Sequence, residues 1–114
     1  MNFERLDVWK RSAALSVAVF KHFKSSHGRG LKDQITRSSL SISSNIAEGY
    51  ERMCSEDCVR FLYYAKGSCG ELRSQLYISM EIGEIDSNTA FQWINETTEL
   101  SKMLGGLIKV ISKS

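Results

Sequence analysis

Proline is absent from all 114 residues, so no fixed ring or missing N–H interrupts a helix anywhere in the chain. Long apolar runs are absent too, and none approaches the roughly 20 residues that crossing a bilayer requires. Ala13 to Phe20 comes nearest to a signal-peptide core, but Glu4 and Asp7 precede it and no small-residue cleavage site follows. A cytoplasmic location with no membrane contact is therefore expected. Histidine is limited to His22 and His27, and neither has a glutamate three residues before it, which excludes the Glu-x-x-His pairs of di-iron bundles. Cys54, Cys58 and Cys69 match no CxxC spacing and form no paired framework; they are expected to be free thiols, and a four-ligand zinc site has too few partners. Gly28-Arg29-Gly30 is too short for a phosphate-binding loop and follows no strand. No metal, no cofactor and no catalytic residue is legible, so the chain is expected not to be an enzyme.

What is present is ordinary in amount and uneven in placement. Apolar residues make up 42% and charged residues 25%, a composition that folds, and 114 residues suffice for one domain with its own core. The formal net charge of +2 hides a division. Residues 1–37 carry eight bases (Arg5, Lys10, Arg11, Lys21, Lys24, Arg29, Lys32, Arg37) against Glu4, Asp7 and Asp33, whereas residues 38–114 carry seven against ten acids. No base stands between Arg73 and Lys102, where Glu81, Glu84, Asp86, Glu96 and Glu99 accumulate. The fold should be basic on its first helical pair and acidic at the tip joining the last two helices.

Apolar spacing predicts four helices and no strand. The first runs from about Glu4 to Lys24 and is broken by Gly28 and Gly30; the second runs from about Leu31 to Glu48, with Gly49 placed as a left-handed cap. The third begins after Ser55, a candidate cap, and ends at Ile82 before Gly83; the fourth opens at Asp86 or Ser87. Short connections favour antiparallel neighbours, so residues 1–114 are expected to form one all-α domain, an antiparallel up-down-up-down four-helix bundle.

The third helix offers one core stripe, Leu62, Ala65, Cys69, Leu72, Leu76 and Ser79, and the fourth another, Trp93, Thr97, Leu100, Leu104, Leu107 and Ile111. The first helix has two. Leu6, Trp9, Ala13, Val17 and Phe20 suffice to face a bundle core, and Val8, Leu15 and Val19 lie about 180° away. The second stripe reads either as a subunit interface at Val8, Leu15 and Val19 or as scattered exposed apolar residues. The second helix carries Arg37 to Arg52 as RSSLSISSNIAEGYER, with five serines in its first eight residues. With the turn between the second and third helices centred near Arg52, antiparallel pairing sets Ser38 near Gly67, Ser41 near Tyr64 and Asn45 near Arg60. Serines that return their hydroxyls to the helix backbone can face the thin stretch at Gly67 and Gly70, with Gly105 and Gly106 at nearly the same level, which predicts a narrow waist. Ser41, Asn45, Glu48 and Gly49 close the helix as a polar corner with Arg52 one turn beyond, either a structural network or a small binding site.

FERLDVWKRS, QITRSSLSISSNIAEGYER and FLYYAKGSCGELRSQLYISMEIGEI together resemble the family of small four-helix-bundle proteins encoded within intervening sequences of bacterial 23S ribosomal RNA genes, the S23 ribosomal protein-like family. The resemblance spans nearly the whole chain, with SISSNIAEG its most specific part; family members usually have proline where this chain has Ser43. It implies a homopentamer, a link to ribosomal RNA through gene location, and a fold similar to the nucleic-acid-binding accessory protein of diversity-generating retroelements. It carries over no catalytic residues. Two functions follow as expectations. One is a homo-oligomer that binds RNA or DNA through Lys10, Lys21, Lys24, Arg29, Lys32 and Arg37. The other is an oligomeric scaffold or adaptor for a protein partner, docking through the acidic tip. A helix-turn-helix reading of the second and third helices is a distant third, because the third helix is too long for a recognition helix.

Overall fold

The computed structural model describes residues 2–24 and 30–113. A short 3-10 turn at Phe3–Arg5 leads into α1 (Asp7–Phe23), then α2 (Leu31–Tyr50), α3 (Ser55–Glu81) and α4 (Ser87–Ser112). The helices form a rod of 46 × 21 × 20 Å in which each packs on its successor and α4 closes back on α1. This is the expected antiparallel four-helix bundle. Packing is heaviest along α2–α3 and α3–α4 and lightest along α1–α4.

The helix ends follow local chemistry. Asp86 caps α4 by accepting a hydrogen bond from the Thr89 N–H at 3.0 Å. Gly83, at φ +81°, turns the chain out of α3, and the Glu84 and Gly83 amides donate to the carbonyls of Ser79 (2.9 Å) and Met80 (3.1 Å). Ser55 is not the cap of α3; it is the first helical residue, and Cys54 precedes it without a side-chain bond. Gly49 is not a left-handed cap either. It lies inside α2, where α3 approaches so closely that a Cβ would stand 3.1 Å from both the Cys58 carbonyl oxygen and the Phe61 Cβ.

The core stripe of α3 is the one its spacing predicts: Leu62, Ala65, Cys69, Leu72, Leu76 and Ser79 are all buried. On α1 the core face is the second stripe, and of the first Leu6 and Trp9 are half-buried and pack against the core. Val8, Leu15 and Val19, expected at a subunit interface, are buried inside the chain's own core together with Ser12, Ser16 and Phe23. Val17 and Phe20, expected in the core, are 52% and 45% exposed. The reason lies in the serines. The Ser12 hydroxyl donates to the Trp9 carbonyl at 2.9 Å, and Ser16 meets Ser39 of α2 at 3.3 Å, so neither buries an unmet polar group. Small satisfied side chains let α1 lie close to α2, while the bulk of Trp9 and Phe20 suits the rim better than a narrow seam.

The serines of α2 behave similarly. Ser39 and Ser43 donate to the carbonyls of Thr36 (2.8 Å) and Leu40 (3.1 Å), three residues back, and α2 runs unbroken through Ser43. Ser41 meets Ser68 of α3 at 2.9 Å, one helical turn away from the Tyr64 pairing that a turn centred at Arg52 would give. Leu40, at 49% exposure, stands outside the buried face. The expected narrow waist at mid-bundle is absent, since a Cβ at Gly67 or Gly106 would have nothing within 4 Å and at Gly70 or Gly105 only the end of a flexible side chain; the close approach is at Gly49, in the last turn of α2.

Candidate functional site

Three of the predicted basic residues converge. Lys21 and Lys24, in the last turn of α1 and just past it, and Lys32, in the first turn of α2, border a groove of about 410 Å³ together with Phe20, Phe23, Asp33 and Thr36. The Thr36 hydroxyl donates to the Lys32 and Asp33 carbonyls, both at 3.0 Å, and among the described residues of the lining Asp33 is the one carboxylate beside three lysines. Lys10 shares the outer face of α1 but lies about 16 Å down its axis. Arg37 is exposed on α2, about 140° around the helix from Lys32. Arg29 falls outside the described residues. Arg11 is neutralised instead: its guanidinium forks onto both carboxylate oxygens of Glu96 on α4, with Nε to Oε2 at 2.9 Å, and this hydrogen bonding is the main reason its pKa rises.

The acidic turn sits at the same end of the rod. The His22 ring meets Trp93 edge-on at 5.4 Å, tying the end of α1 to the start of α4, and Glu81, Glu84 and Asp86 are exposed beside it. Asp86 is held below the usual carboxylate range, first by the Thr89 N–H and only weakly by His22. One end of the bundle is thus basic over α1–α2 and acidic over α3–α4.

The polar corner divides into two small assemblies. Asn45 donates to the carbonyl of Ser41 (2.9 Å) and to its hydroxyl (3.0 Å), and the Ser41 hydroxyl meets Ser68, so these groups satisfy one another across α2 and α3. Glu48 pairs with Arg52 at 3.4 Å, and the Arg52 guanidinium stacks 4.6 Å from the Phe61 ring centre. Gly49 joins neither; its part is the close approach of α3. Both assemblies are occupied by their own members and leave no obvious opening for a ligand.

The use of the second stripe as the core face of α1 turns Ala14, Val17, Ala18 and Phe20 outward between Lys10 and Lys21. On α3, Tyr63, Gly67, Ser74 and Tyr77 are also outward. The signal for both was in the spacing, but apolar count alone assigned the α1 stripe to the core.

A family model described as 23S rRNA-intervening sequence protein matches residues 4–106. The chain belongs to that family. Among curated proteins none matches. A crystal structure described as a protein with unknown function from the S23 ribosomal protein family of Bacteroides thetaiotaomicron VPI-5482 superposes with a TM-score of 0.85. It is 24% identical and covers 90% of this chain and 98% of its own, a likeness of fold. Among the described residues, no helix is long and apolar enough to cross a membrane.

Proposed function

We propose that this protein is a non-catalytic homo-oligomer that binds structured RNA through the lysines at the α1–α2 end. The observation that carries the reading is the convergence of Lys21, Lys24 and Lys32 on one groove with a single opposing carboxylate. A ring of subunits repeats that groove once per protomer, so contacts that are weak singly add by multivalency. Oligomerisation draws support from the outward apolar faces. The Ser16–Ser39 and Ser41–Ser68 contacts set the relative heights of α1, α2 and α3, and they put Ala13 and Ala14 roughly level with Gly67. Around an axis parallel to the rod, level faces of adjacent copies meet, small residues against small residues. The pentamer that the family resemblance implies is one such ring.

The test joins both halves. A structured RNA hairpin titrated at several salt concentrations should bind the wild type with an affinity that falls linearly in log salt, and K21Q/K24Q should reduce the slope by about 2 per engaged protomer. Val17→Glu, on the surface of the fold, should lower the mass seen by light scattering and weaken RNA binding with it. A flat titration at low salt would sink the RNA reading. A protein adaptor is the second reading, favoured by Tyr77, Ile78, Ile82 and Phe91, exposed beside Glu81; recovery from cells of a stoichiometric protein and no RNA would support it instead.

A further inference from the structure

We infer that the groove between α3 and α4 is an oxyanion site that takes a phosphate group. It is lined by Lys66, Arg73, Thr98, Ser101, Lys102 and Gly105, has a volume of about 350 Å³, and lies on a different helix pair from the lysine groove above. Lys66 and Arg73 are seven residues apart, so two turns of α3 set them about 20° apart on one side of the helix. Lys102 reaches the same groove from α4.

Three arginines elsewhere are paired with carboxylates, and Lys66 and Arg73 are not. Arg11, Arg52 and Arg60 each hold a carboxylate within 3.4 Å. Among the described residues Lys66 and Arg73 form no ion pair, and Lys102 has only Glu99 at 3.9 Å, with both side chains more than half exposed. No carboxylate lines the groove itself. A guanidinium offers a planar fork to a phosphate and an ammonium adds a point charge.

The neutral residues of the lining suit the same occupant. The Ser101 hydroxyl has no partner among the described residues and is free to donate, while Thr98 returns its hydroxyl to the Ile94 carbonyl at 3.2 Å. Gly105 is an unfavourable choice in mid-helix, and the packing does not require it: a Cβ there would meet only the Lys66 Cε, at an ordinary 3.8 Å. Its missing side chain is space within the groove. Cys69 lies beneath, one turn from both Lys66 and Arg73; burial pushes its thiol up to about 11, against the pull of the two cations, so it stays neutral and supplies no competing anion.

Amide NMR titration tests the site, with ionic strength held constant by sodium chloride. Pyrophosphate should shift the Thr98, Ser101 and Gly105 amides saturably, and Arg73→Gln should weaken that response about tenfold. Gly105→Leu fills the groove without changing charge and should abolish the response, whereas K21Q/K24Q should leave it intact even as RNA binding falls. AMP and a short single-stranded RNA, run as parallel arms, separate a free phosphate monoester from a backbone phosphodiester as the source of the group. The proposal is overturned if none of the three probes gives saturable shifts at these amides, or if K66Q/R73Q, folded by circular dichroism, shows the same shifts as the wild type.

Discussion

Gly49→Ala is the substitution whose outcome follows most directly from the geometry. Alanine is the better helix residue and in an open position would stabilise α2 by up to about 1 kcal/mol. At Gly49 the added methyl would stand 3.1 Å from the Cys58 carbonyl oxygen and 3.1 Å from the Phe61 Cβ. Both are fixed by the backbone of α3, so α3 as a whole must retreat. Overpacking of that kind costs about 1–3 kcal/mol, which outweighs the gain in propensity and leaves a net loss of roughly 0.5–2 kcal/mol. Gly106→Ala is the matched control: nothing lies within 4 Å of its Cβ position, and it should gain about 0.5–1 kcal/mol. Urea denaturation of the three proteins at a single protein concentration measures the differences, because the proposed self-association would make the midpoint depend on concentration. If Gly49→Ala unfolds at or above the wild-type midpoint, the close approach of α2 and α3 is not where the fold is tight, and the reasoning fails.

Two further outcomes concern titrating groups. Asp86 has a depressed pKa because its carboxylate accepts the Thr89 N–H, so its contribution is complete above the unfolded-state carboxylate pKa and is lost as pH falls through the lower folded-state value. The melting-temperature gap between the wild type and Asp86→Ala should therefore close on acidification from pH 7 to pH 2; a gap that widens contradicts the cap. Of the three thiols, Cys54 is exposed and Cys58 and Cys69 are buried, and a pKa near 11 leaves Cys69 with about 100-fold less thiolate than an ordinary cysteine. Alkylation of the native protein at pH 8, followed by mass spectrometry, should mark Cys54 first, and equal labelling of Cys69 would mean that its burial is wrongly placed.

On α3, with one apolar stripe, the sequence was enough; on α4 it was enough from Trp93 to Leu104, beyond which Ile108 is buried and Leu107 and Ile111 are half-buried. Leu62 through Ser79 on α3 read correctly because every third or fourth residue is apolar or small and the opposite face is wet. The stop at Gly83 read correctly because a left-handed turn calls for a particular residue type, and the structure decides between Asp86 and Ser87 in favour of Asp86 as the cap. α1 was misread because apolar count favours the stripe of Leu6, Trp9, Ala13, Val17 and Phe20, whereas what decides between the two faces is the fate of Ser12 and Ser16. A serine is costly in a core only when its hydroxyl is unmet, and whether a carbonyl or a second serine meets it is a fact of three dimensions. The pairing of α2 with α3 slipped by a turn for a related reason: a bundle seam of small residues has few bulky landmarks. Of the basic residues, Lys21, Lys24 and Lys32 flank the connection between the first two helices in the sequence itself, whereas the pairing of Arg11 with Glu96, 85 residues distant, had no local signal.

The division of one end of the rod into a lysine half and a carboxylate half also governs how a partner arrives. A polyanion drifting toward that end is drawn to Lys21, Lys24 and Lys32 and turned away by Glu81, Glu84 and Asp86, so the field applies a torque as well as an attraction. Encounters are sorted by direction before any contact forms: a strand is guided to lie along the α1–α2 flank and is kept from capping the tip. In a cyclic assembly all the end faces would point the same way, and the torques would agree around the ring, giving one polarity of approach to the whole particle.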